Sequence, residues 1–263
     1  MRYALKTISI LIAVLFLQSC SDDDNPVKDS EDPIELSVVT SYEEGGITYE
    51  ILSENSELIE GYNEFYLKAK DADGNDLTGD FDINIVMDMG QMMHSTPFEY
   101  EMMEDSDNGG SIIMVKANFI MPTVEMGVWM IDAVSESLGA NHTIEFNVTA
   151  SGNVKRFTSN EKPYFVTLRT LKSPDVGMND FNITVHSRKN MMSHPAVENL
   201  TIEIEPRMPS MGHGSNGNEN PVHVGNGLYE GKVNFNMTGD WEITVTLLDG
   251  ENEIGSVVYA LDL

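Results

Sequence analysis

The sequence predicts an all-β protein built from two tandem β-sandwich domains. Short apolar runs recur between polar turns along most of the chain, and no stretch has a sustained 3.6-residue period of apolar residues with helix caps. Several runs alternate strictly, as in Trp241-Glu-Ile243-Thr-Val245, which gives a strand one buried face and one wet face. A pattern of methionine, histidine and tryptophan also occurs twice, which indicates two copies of one domain.

Seven short strands are predicted in each half, and seven strands joined by polar turns are typical of immunoglobulin-like sandwiches. The first domain is placed at residues 36–152 and the second at residues 160–263, with residues 152–163 containing a polar linker. The predicted strands of the first domain are Thr48–Leu52, Phe65–Lys70, Ile83–Met87, Phe98–Met102, Ile112–Phe119, Val128–Val134 and Ile144–Thr149. Those of the second are Tyr164–Leu168, Phe181–His186, Leu200–Glu205, Val222–Val224, Leu228–Asn236, Trp241–Leu247 and Ser256–Leu261.

The repeated pattern is clearest as Met-x-x-Met-x-His. Three of its positions recur at a constant separation of 119 residues, and two further positions recur at 116 and 112. The pairs are Met89 with Met208, Met92 with Met211, His94 with His213, Met121 with Met237, and Trp129 with Trp241.

Thioether sulfur and imidazole nitrogen are ligands that copper(I) prefers, and they replace thiolates where thiols would oxidise. The candidate ligands are Met208, Met211, His213, Met237 and His223 in the second domain, and Met89, Met92, His94 and Met121 in the first. The alternative is packing: a structural turn at Met208–His213, core methionines at 121 and 237, and a solvent-facing His223.

Other methionines and histidines have no counterpart in the repeat. The cluster Met191-Met192-Ser193-His194 is interpreted mainly as packing at a strand edge, with His194 as a possible additional ligand. His142 and His186 are interpreted as isolated strand residues. The two tryptophans fit core positions, or rings that shield a soft cation.

The second half resembles the YtkA-like domain, which is similar to the FixH family. The match spans about Asn179–Leu248 and depends on Met208-Pro-x-Met211-Gly-His213, Gly227-Leu228-Tyr229 and Phe235-x-Met237-x-Gly239-x-Trp241. The first half matches more loosely, since Met121–Trp129 is four residues longer than Met237–Trp241 and no proline follows Met89. The resemblance implies a small extracytoplasmic β-sandwich linked to copper handling or to cytochrome oxidase assembly.

Composition excludes several classes of function. A net charge of −28 disfavours nucleic acid, which needs a basic surface. The single cysteine, Cys20, excludes an intramolecular disulfide. The sequence has no Gly-x-Ser-x-Gly elbow, no glycine-rich phosphate loop before a helix, and no zinc-binding His-x-x-x-His. We therefore expect a protein that is not an enzyme.

The N-terminus has the pattern of an exported lipoprotein. Residues 1–19 combine a basic start with an apolar run too short to span a bilayer, as in signal peptides. The junction with the next segment reads Leu17-Gln-Ser-Cys20, which resembles the bacterial lipobox in which the cysteine is lipidated; the alternative is a free cysteine beside an ordinary signal peptide. Residues 20–35 form a predicted flexible acidic tether, and Ser21-Asp-Asp-Asp24 resembles the export tag of Bacteroidetes surface lipoproteins.

Two hypotheses remain open. In the first, a lipoprotein anchored by Cys20 to the outer membrane, on the cell surface or on the periplasmic face, binds or relays copper(I) through its methionine and histidine sites. In the second, the sandwiches are a non-catalytic structural or interaction module that serves an envelope complex. The two hypotheses share the lipid anchor and differ in whether a metal or a protein partner is bound.

Overall fold

A computed structural model describes residues 35–104 and 109–263. The predicted signal peptide, Cys20 and nearly all of the predicted tether lie outside the described residues. Glu35–Leu263 form one compact unit. The described ranges contain strands and turns and no helix, so none of their elements is a helix that could cross a membrane. The prediction of an all-β fold is confirmed.

The first half contains two main sheets and a small parallel pair. Its strands are β1 (Ser37–Glu44), β2 (Ile47–Ser53), β3 (Leu58–Ile59), β4 (Gly61–Lys70), β5 (Phe81–Asp88), β6 (Met93–Ser95), β7 (Phe98–Glu104), β8 (Ser111–Phe119), β9 (Val128–Ser135), β10 (Ala140–Phe146) and β11 (Val148–Thr149). One sheet has the order β1-β2-β4-β8-β7 and the other β10-β9-β5-β6, while β3 pairs with β11.

The second half repeats both main sheets. Its strands are β12 (Val154–Ser159), β13 (Lys162–Leu168), β14 (Gly177–Ser187), β15 (Thr201–Met208), β16 (His213–Gly214), β17 (Glu219–Gly225), β18 (Leu228–Phe235), β19 (Asp240–Asp249) and β20 (Asn252–Asp262). The orders β12-β13-β14-β18-β17 and β16-β15-β19-β20 match those of the first half strand for strand. The two halves therefore have the same topology.

Each half encloses its own apolar core between its two sheets. In the first half, Phe65 of β4 and Val115 of β8 meet Ile85 of β5 and Trp129 of β9 in one buried cluster. A separate cluster fills the second half. Alternate side chains of the strands point inward, as the sequence pattern predicts, so two facing sheets of this kind form a sandwich.

The two longest strands absent from the sequence prediction, β1 and β12, are edge strands. Among the described strands, β1 and β12 each pair with a single neighbour. Most of their side chains are exposed or half-buried, so neither strand has the alternation of apolar and polar residues that identifies a strand in the sequence. β12 also lies in the polar segment interpreted as a linker. It pairs with β13 over its full length, and its Phe157 ring lies so close to Gly255 that a Cβ atom there would be 2.4 Å away.

The two halves contact each other through a small set of specific interactions. The Ser95 amide donates a hydrogen bond to the Met191 carbonyl (2.9 Å), and the Thr184 hydroxyl donates one to the Asn118 side-chain oxygen (3.1 Å). The guanidinium carbon of Arg169 lies 3.6 Å above the centre of the Tyr62 ring. These contacts bring β4, β6 and β8 against the second half and define a junction between the halves.

Candidate metal centre

The hairpin between β5 and β6 presents the first group of candidate ligands. Met87 is the register partner of His94, and the connecting turn is held by hydrogen bonds from the Met89 amide to the Met92 carbonyl (3.0 Å) and from the Gly90 amide to the Asp88 carboxylate (2.7 Å). Gly90 has a φ of +78°, which favours glycine. The turn thus fixes Met89 and Met92 close to His94.

His94 is buried with one free ring nitrogen. Its side chain is 4% exposed, and its ring meets Trp129 edge-on with centroids 5.3 Å apart. Nδ1 lies 3.0 Å from the Ser95 carbonyl, which can only accept, so Nδ1 carries the proton and donates. Nε2 then holds the lone pair, and it has no hydrogen-bond partner among the described residues. An imidazole oriented through one nitrogen and free at the other is the usual form of a metal ligand.

A cavity of about 420 Å³ brings the first-half candidates together with side chains from the second half. We call it the methionine cavity. Its potential ligands are Met89, Met92, His94, Met121, Met191 and His194. All four ligands predicted for the first domain therefore share one site, and two further donors reach it across the junction.

The backbone at Met121 is held by a hydrogen bond that recurs in the second half. The Trp129 indole N–H donates a hydrogen bond to the Met121 carbonyl at 3.1 Å. Trp241 makes the same bond to the Met237 carbonyl at 3.1 Å. The tryptophans are thus buried core residues whose N–H groups fix the backbone next to a methionine, as expected for a buried indole.

His194 enters the methionine cavity from the segment that follows β14. The Ser187 amide donates to the Pro195 carbonyl (3.0 Å), and Asn190 and Ser193 form a β-bridge, so the segment is folded back onto its strand. His194 is 7% exposed, and neither ring nitrogen has a hydrogen-bond partner among the described residues. Burial, followed by the charges of His94 and Arg188, lowers the pKa of His194 to about 4. The ring is therefore neutral at pH 7, with a lone pair available.

Two arginines also line the methionine cavity. The Arg188 guanidinium lies 3.9 Å from the Met191 sulfur, and Arg156 contributes to the wall. Their positive charges repel cations, so electrostatic attraction alone would not hold a metal ion in this cavity. Within residues 35–104 and 109–263, no three His, Cys, Asp or Glu side chains are grouped to hold a metal, so an ion in this cavity would depend on methionine sulfur.

Met208, predicted as a loop ligand, is instead a core residue. It ends β15, is 1% exposed, and its terminal methyl would lie 2.9 Å from a Cβ atom on Gly239, whose φ is +136°. Met208 is the register partner of His213, as Met87 is of His94. Its structural counterpart is therefore Met87 and not Met89, because the first-half turn is two residues longer.

The other second-half candidates lie near Trp241 but remain more open. Met211 occupies the turn and is 61% exposed, while Met237 is also an exposed side chain. The His213 ring lies 6.1 Å from Trp241, and its Nδ1 donates to the Gly214 carbonyl at 3.0 Å. The second half thus repeats the arrangement of the first, in which a histidine ring lies edge-on to a buried tryptophan.

His223 is separated from the other second-half candidates by its sheet. It lies on β17, whereas Met208 and His213 lie on β15 and β16 of the opposite sheet. Its ring packs on Tyr229 with centroids 5.2 Å apart, and Nε2 is buried without a partner among the described residues. The prediction that His223 joins the Met208 hairpin is not supported by this placement.

Sequence reasoning gave too little weight to the segment 186–194. Met191 and His194 line the methionine cavity, although they were interpreted mainly as edge packing. His186, taken as an isolated strand residue, is 7% exposed with an unpartnered Nδ1. The sequence feature that could have identified this segment is the Met191-x-x-His194 cluster, because it contains metal-binding side chains that have no counterpart in the first half. His142, in contrast, has a structural partner, since its Nδ1 lies 3.0 Å from the Tyr49 hydroxyl.

Comparison with known proteins supports the resemblance of the second half. The model of the family described as YtkA-like matches residues 158–246. The matched region begins in β12 and ends within β19, and it includes Met191, His194 and the Met208–His213 hairpin. No curated protein matches the chain.

Proposed function

We propose that the chain is an extracytoplasmic lipoprotein that binds copper(I) in the methionine cavity. The observation that carries the proposal is the convergence of Met89, Met92, His94 and Met121 with Met191 and His194, from two halves of the chain, on one cavity. Copper cargo bound here could be handed to or received from other envelope proteins. The proposal assigns no catalytic reaction to the chain.

The donor set fits copper(I) better than other metals. Four thioethers are soft ligands, and two imidazoles complete a set without thiolate or carboxylate. The unpartnered Nε2 of His94 and one of the two unpartnered ring nitrogens of His194 each supply a lone pair that folding leaves unused. Hard ions such as Mg²⁺ and Ca²⁺ require oxygen ligands, and the nearby Arg156 and Arg188 disfavour a higher ionic charge.

The proposal further treats residues 36–152 as a diverged second copy of the YtkA-like domain. Identical strand orders in the two halves support this view, as do the matching His94–Trp129 and His213–Trp241 contacts. The binding roles have diverged, because the first-half hairpin faces the junction and gains ligands there. The exposed Met211 hairpin of the second half is a candidate for transient contacts only.

Anaerobic titration against a colorimetric copper(I) chelator tests the proposal. The chain without residues 1–19 and with Cys20→Ser is expected to bind one copper(I) ion tightly. The double variant Met92→Leu, Met121→Leu keeps apolar volume and is expected to lower affinity at least about tenfold, since thioethers are exchanged for alkyl groups. Met211→Leu, Met237→Leu is the matched control and should retain affinity. Equal affinity of the wild-type chain and the Met92, Met121 variant would refute the assignment.

The anchor at Cys20 is a separate part of the proposal. Two or three acyl chains hold a protein firmly at a membrane, so replacing the cysteine should release the chain. We expect wild-type protein in the outer-membrane fraction and Cys20→Ser in the soluble fraction. Digestion by an added protease in intact cells would place the protein on the cell surface, and protection until the outer membrane is opened would place it on the periplasmic face.

A second candidate function is an interaction module for an envelope complex. It is favoured by β17, an edge strand whose Val222 and Val224 side chains face solvent. Unpaired edges with apolar side chains are typical sites of strand addition by a partner. Crosslinking from membranes discriminates the functions: a partner retained after copper chelation and lost in Val222→Lys, Val224→Lys supports the interaction module.

A further inference from the structure

A second cavity, of about 570 Å³, lies on the other side of His194. We call it the polar cavity, because its wall carries nitrogen and oxygen donors where the methionine cavity carries sulfur. Those relevant here are Glu99, Asn118, Thr184, His186 and His194. His194 is common to both cavities. It is therefore placed between a sulfur-rich site and a site without sulfur.

His186 supplies a second buried imidazole to the polar cavity. It is 7% exposed, and its Nδ1 has no hydrogen-bond partner among the described residues. The bridge from His186 to Ala196 and the bond from the Val197 amide to the Val185 carbonyl (2.9 Å) hold residues 194–197 against the end of β14. This folded-back segment keeps His194 beside His186.

The unpartnered ring nitrogens of these buried histidines are energetically unfavourable. A buried imidazole nitrogen without a hydrogen bond costs about 1–3 kcal/mol. His186 and His194, which line the same cavity, together leave three ring nitrogens without a partner among the described residues. Buried groups that remain unsatisfied beside a cavity indicate that water or a ligand in the cavity satisfies them.

We propose that His186 and His194 hold a second metal ion, a borderline divalent cation such as Zn(II) or Cu(II), on the polar-cavity side. The inference rests on the proposed function in one respect, since His194 is also a ligand of the copper(I) site. Imidazole nitrogen with oxygen ligands suits Zn(II) and Cu(II), whereas thioethers suit copper(I). Among the described residues no third His, Cys, Asp or Glu side chain is grouped with the two imidazoles, and the Asn118 side-chain oxygen already accepts a hydrogen bond from Thr184, so water would supply the oxygen ligands of the ion.

The positive groups of the polar cavity are compatible with this assignment. Arg169 is stacked on Tyr62, so its charge is partly directed at the ring face, and Lys116 lies on β8 next to the register position of Glu99. Glu99 and Lys116 are direct cross-strand partners and offset each other's charge. The imidazoles, and not net charge, therefore determine binding here.

Sharing of His194 has a consequence for affinity. A neutral imidazole has one lone-pair nitrogen, since the other carries the proton. His194 can therefore serve only one of the two ions at a time unless it loses that proton. A divalent ion in the polar cavity and copper(I) in the methionine cavity then compete for the same side chain, and each should weaken the other.

Zinc titration with the chain lacking residues 1–19 and carrying Cys20→Ser tests the inference. Zn(II) is the probe, a colorimetric zinc chelator competes for it, and excess Mg²⁺ occupies surface carboxylates. We expect His186→Gln to lower zinc affinity at least about tenfold and to leave copper(I) affinity unchanged, which also shows that the variant is folded. Met92→Leu, Met121→Leu should do the reverse, and His194→Gln should lower both.

The outcomes separate the two assignments. Unchanged zinc affinity in His186→Gln overturns the second site, and unchanged copper(I) affinity in the Met92, Met121 variant overturns the first. If His186→Gln does not fold, the histidine ring resonances of the wild-type chain give the answer. Zinc should shift those of His186 and His194 and leave those of His142 and His213 in place. A shift confined to other histidines would refute the proposal.

Discussion

Met87 and Met208 occupy the same place in the two halves of the molecule. Each is buried at the end of the inner strand and pairs with a histidine across a short hairpin, and a Cβ atom at Gly127 or Gly239 would approach the respective methyl group to 2.9 Å. The repeated methionine is therefore partly a packing residue. What differs between the halves is the turn beyond it, which in the first half carries Met89 and Met92 to the junction.

Truncation of Met208 should destabilise the fold far more than truncation of Met211. Met208→Ala opens a cavity in the second core, and such changes cost about 2–5 kcal/mol of unfolding free energy. Met211→Ala alters an exposed turn and should change it by less than about 0.5 kcal/mol. Urea unfolding followed by circular dichroism measures both. Similar costs for the two variants would contradict the core assignment of Met208.

Copper binding should quench the fluorescence of one tryptophan selectively. Trp129 meets the His94 ring at 5.3 Å, so an ion on His94 Nε2 lies close to this indole and remote from the core of the other half. In the Trp241→Phe variant, where Trp129 is the remaining tryptophan, copper(I) should quench emission. In Trp129→Phe the emission of Trp241 should persist. Quenching restricted to Trp241 would instead place the ion at the Met211–His213 hairpin.

The sequence predicted the sandwiches and four of the six candidate donors of the methionine cavity. β19 was found because its alternating Trp241, Ile243 and Val245 are buried on one face. β1 and β12 were missed because edge strands lack that contrast. The repeat identified Met89, Met92, His94 and Met121, but it could not identify Met191 and His194. Their segment has no repeat partner, and contacts between two domains leave no periodic signal in a single sequence.

Stability should fall as the pH drops from about 6.5 to about 4. Burial, followed by the charge of His194, lowers the pKa of His186 to about 4. Burial, followed by the charges of His94 and Arg188, lowers the pKa of His194 to about 4. Between the unfolded value of 6.5 and the folded value, the unfolded chain binds more protons, so the free energy of unfolding rises with pH across this window. Above about pH 6.5 these two histidines no longer reduce the free energy of unfolding.

Urea midpoints measured at pH 7, 5.5 and 4.5 check this expectation. The double variant His186→Gln, His194→Gln should lose most of the slope between pH 6.5 and 4. A distinct decline at lower pH should remain, because hydrogen bonds led by that from the Ser137 hydroxyl lower the pKa of Asp80 to about 2, below its usual 3.8. A slope unchanged in the double variant would show that other groups control stability in the upper window.

Copper(I) should tighten the junction between the halves. The ligands come from both sides, so an ion that binds only the closed arrangement stabilises that arrangement. The Ser95 amide reports on it directly, since it donates across the junction to the Met191 carbonyl. We expect hydrogen exchange at Ser95 to slow on addition of copper(I), and the amide of Val245, within the second core, to be unaffected.

The reciprocal effect follows by linkage, because two coupled equilibria must affect each other equally. Asn118→Ala removes the hydrogen bond to Thr184, and Arg169→Ala removes the stack on Tyr62, yet none of these residues lines the methionine cavity. The combined variant should bind copper(I) several-fold more weakly, with faster exchange at Ser95 in the metal-free chain. Unchanged affinity together with faster exchange would mean that the first half binds the ion alone, without Met191 and His194.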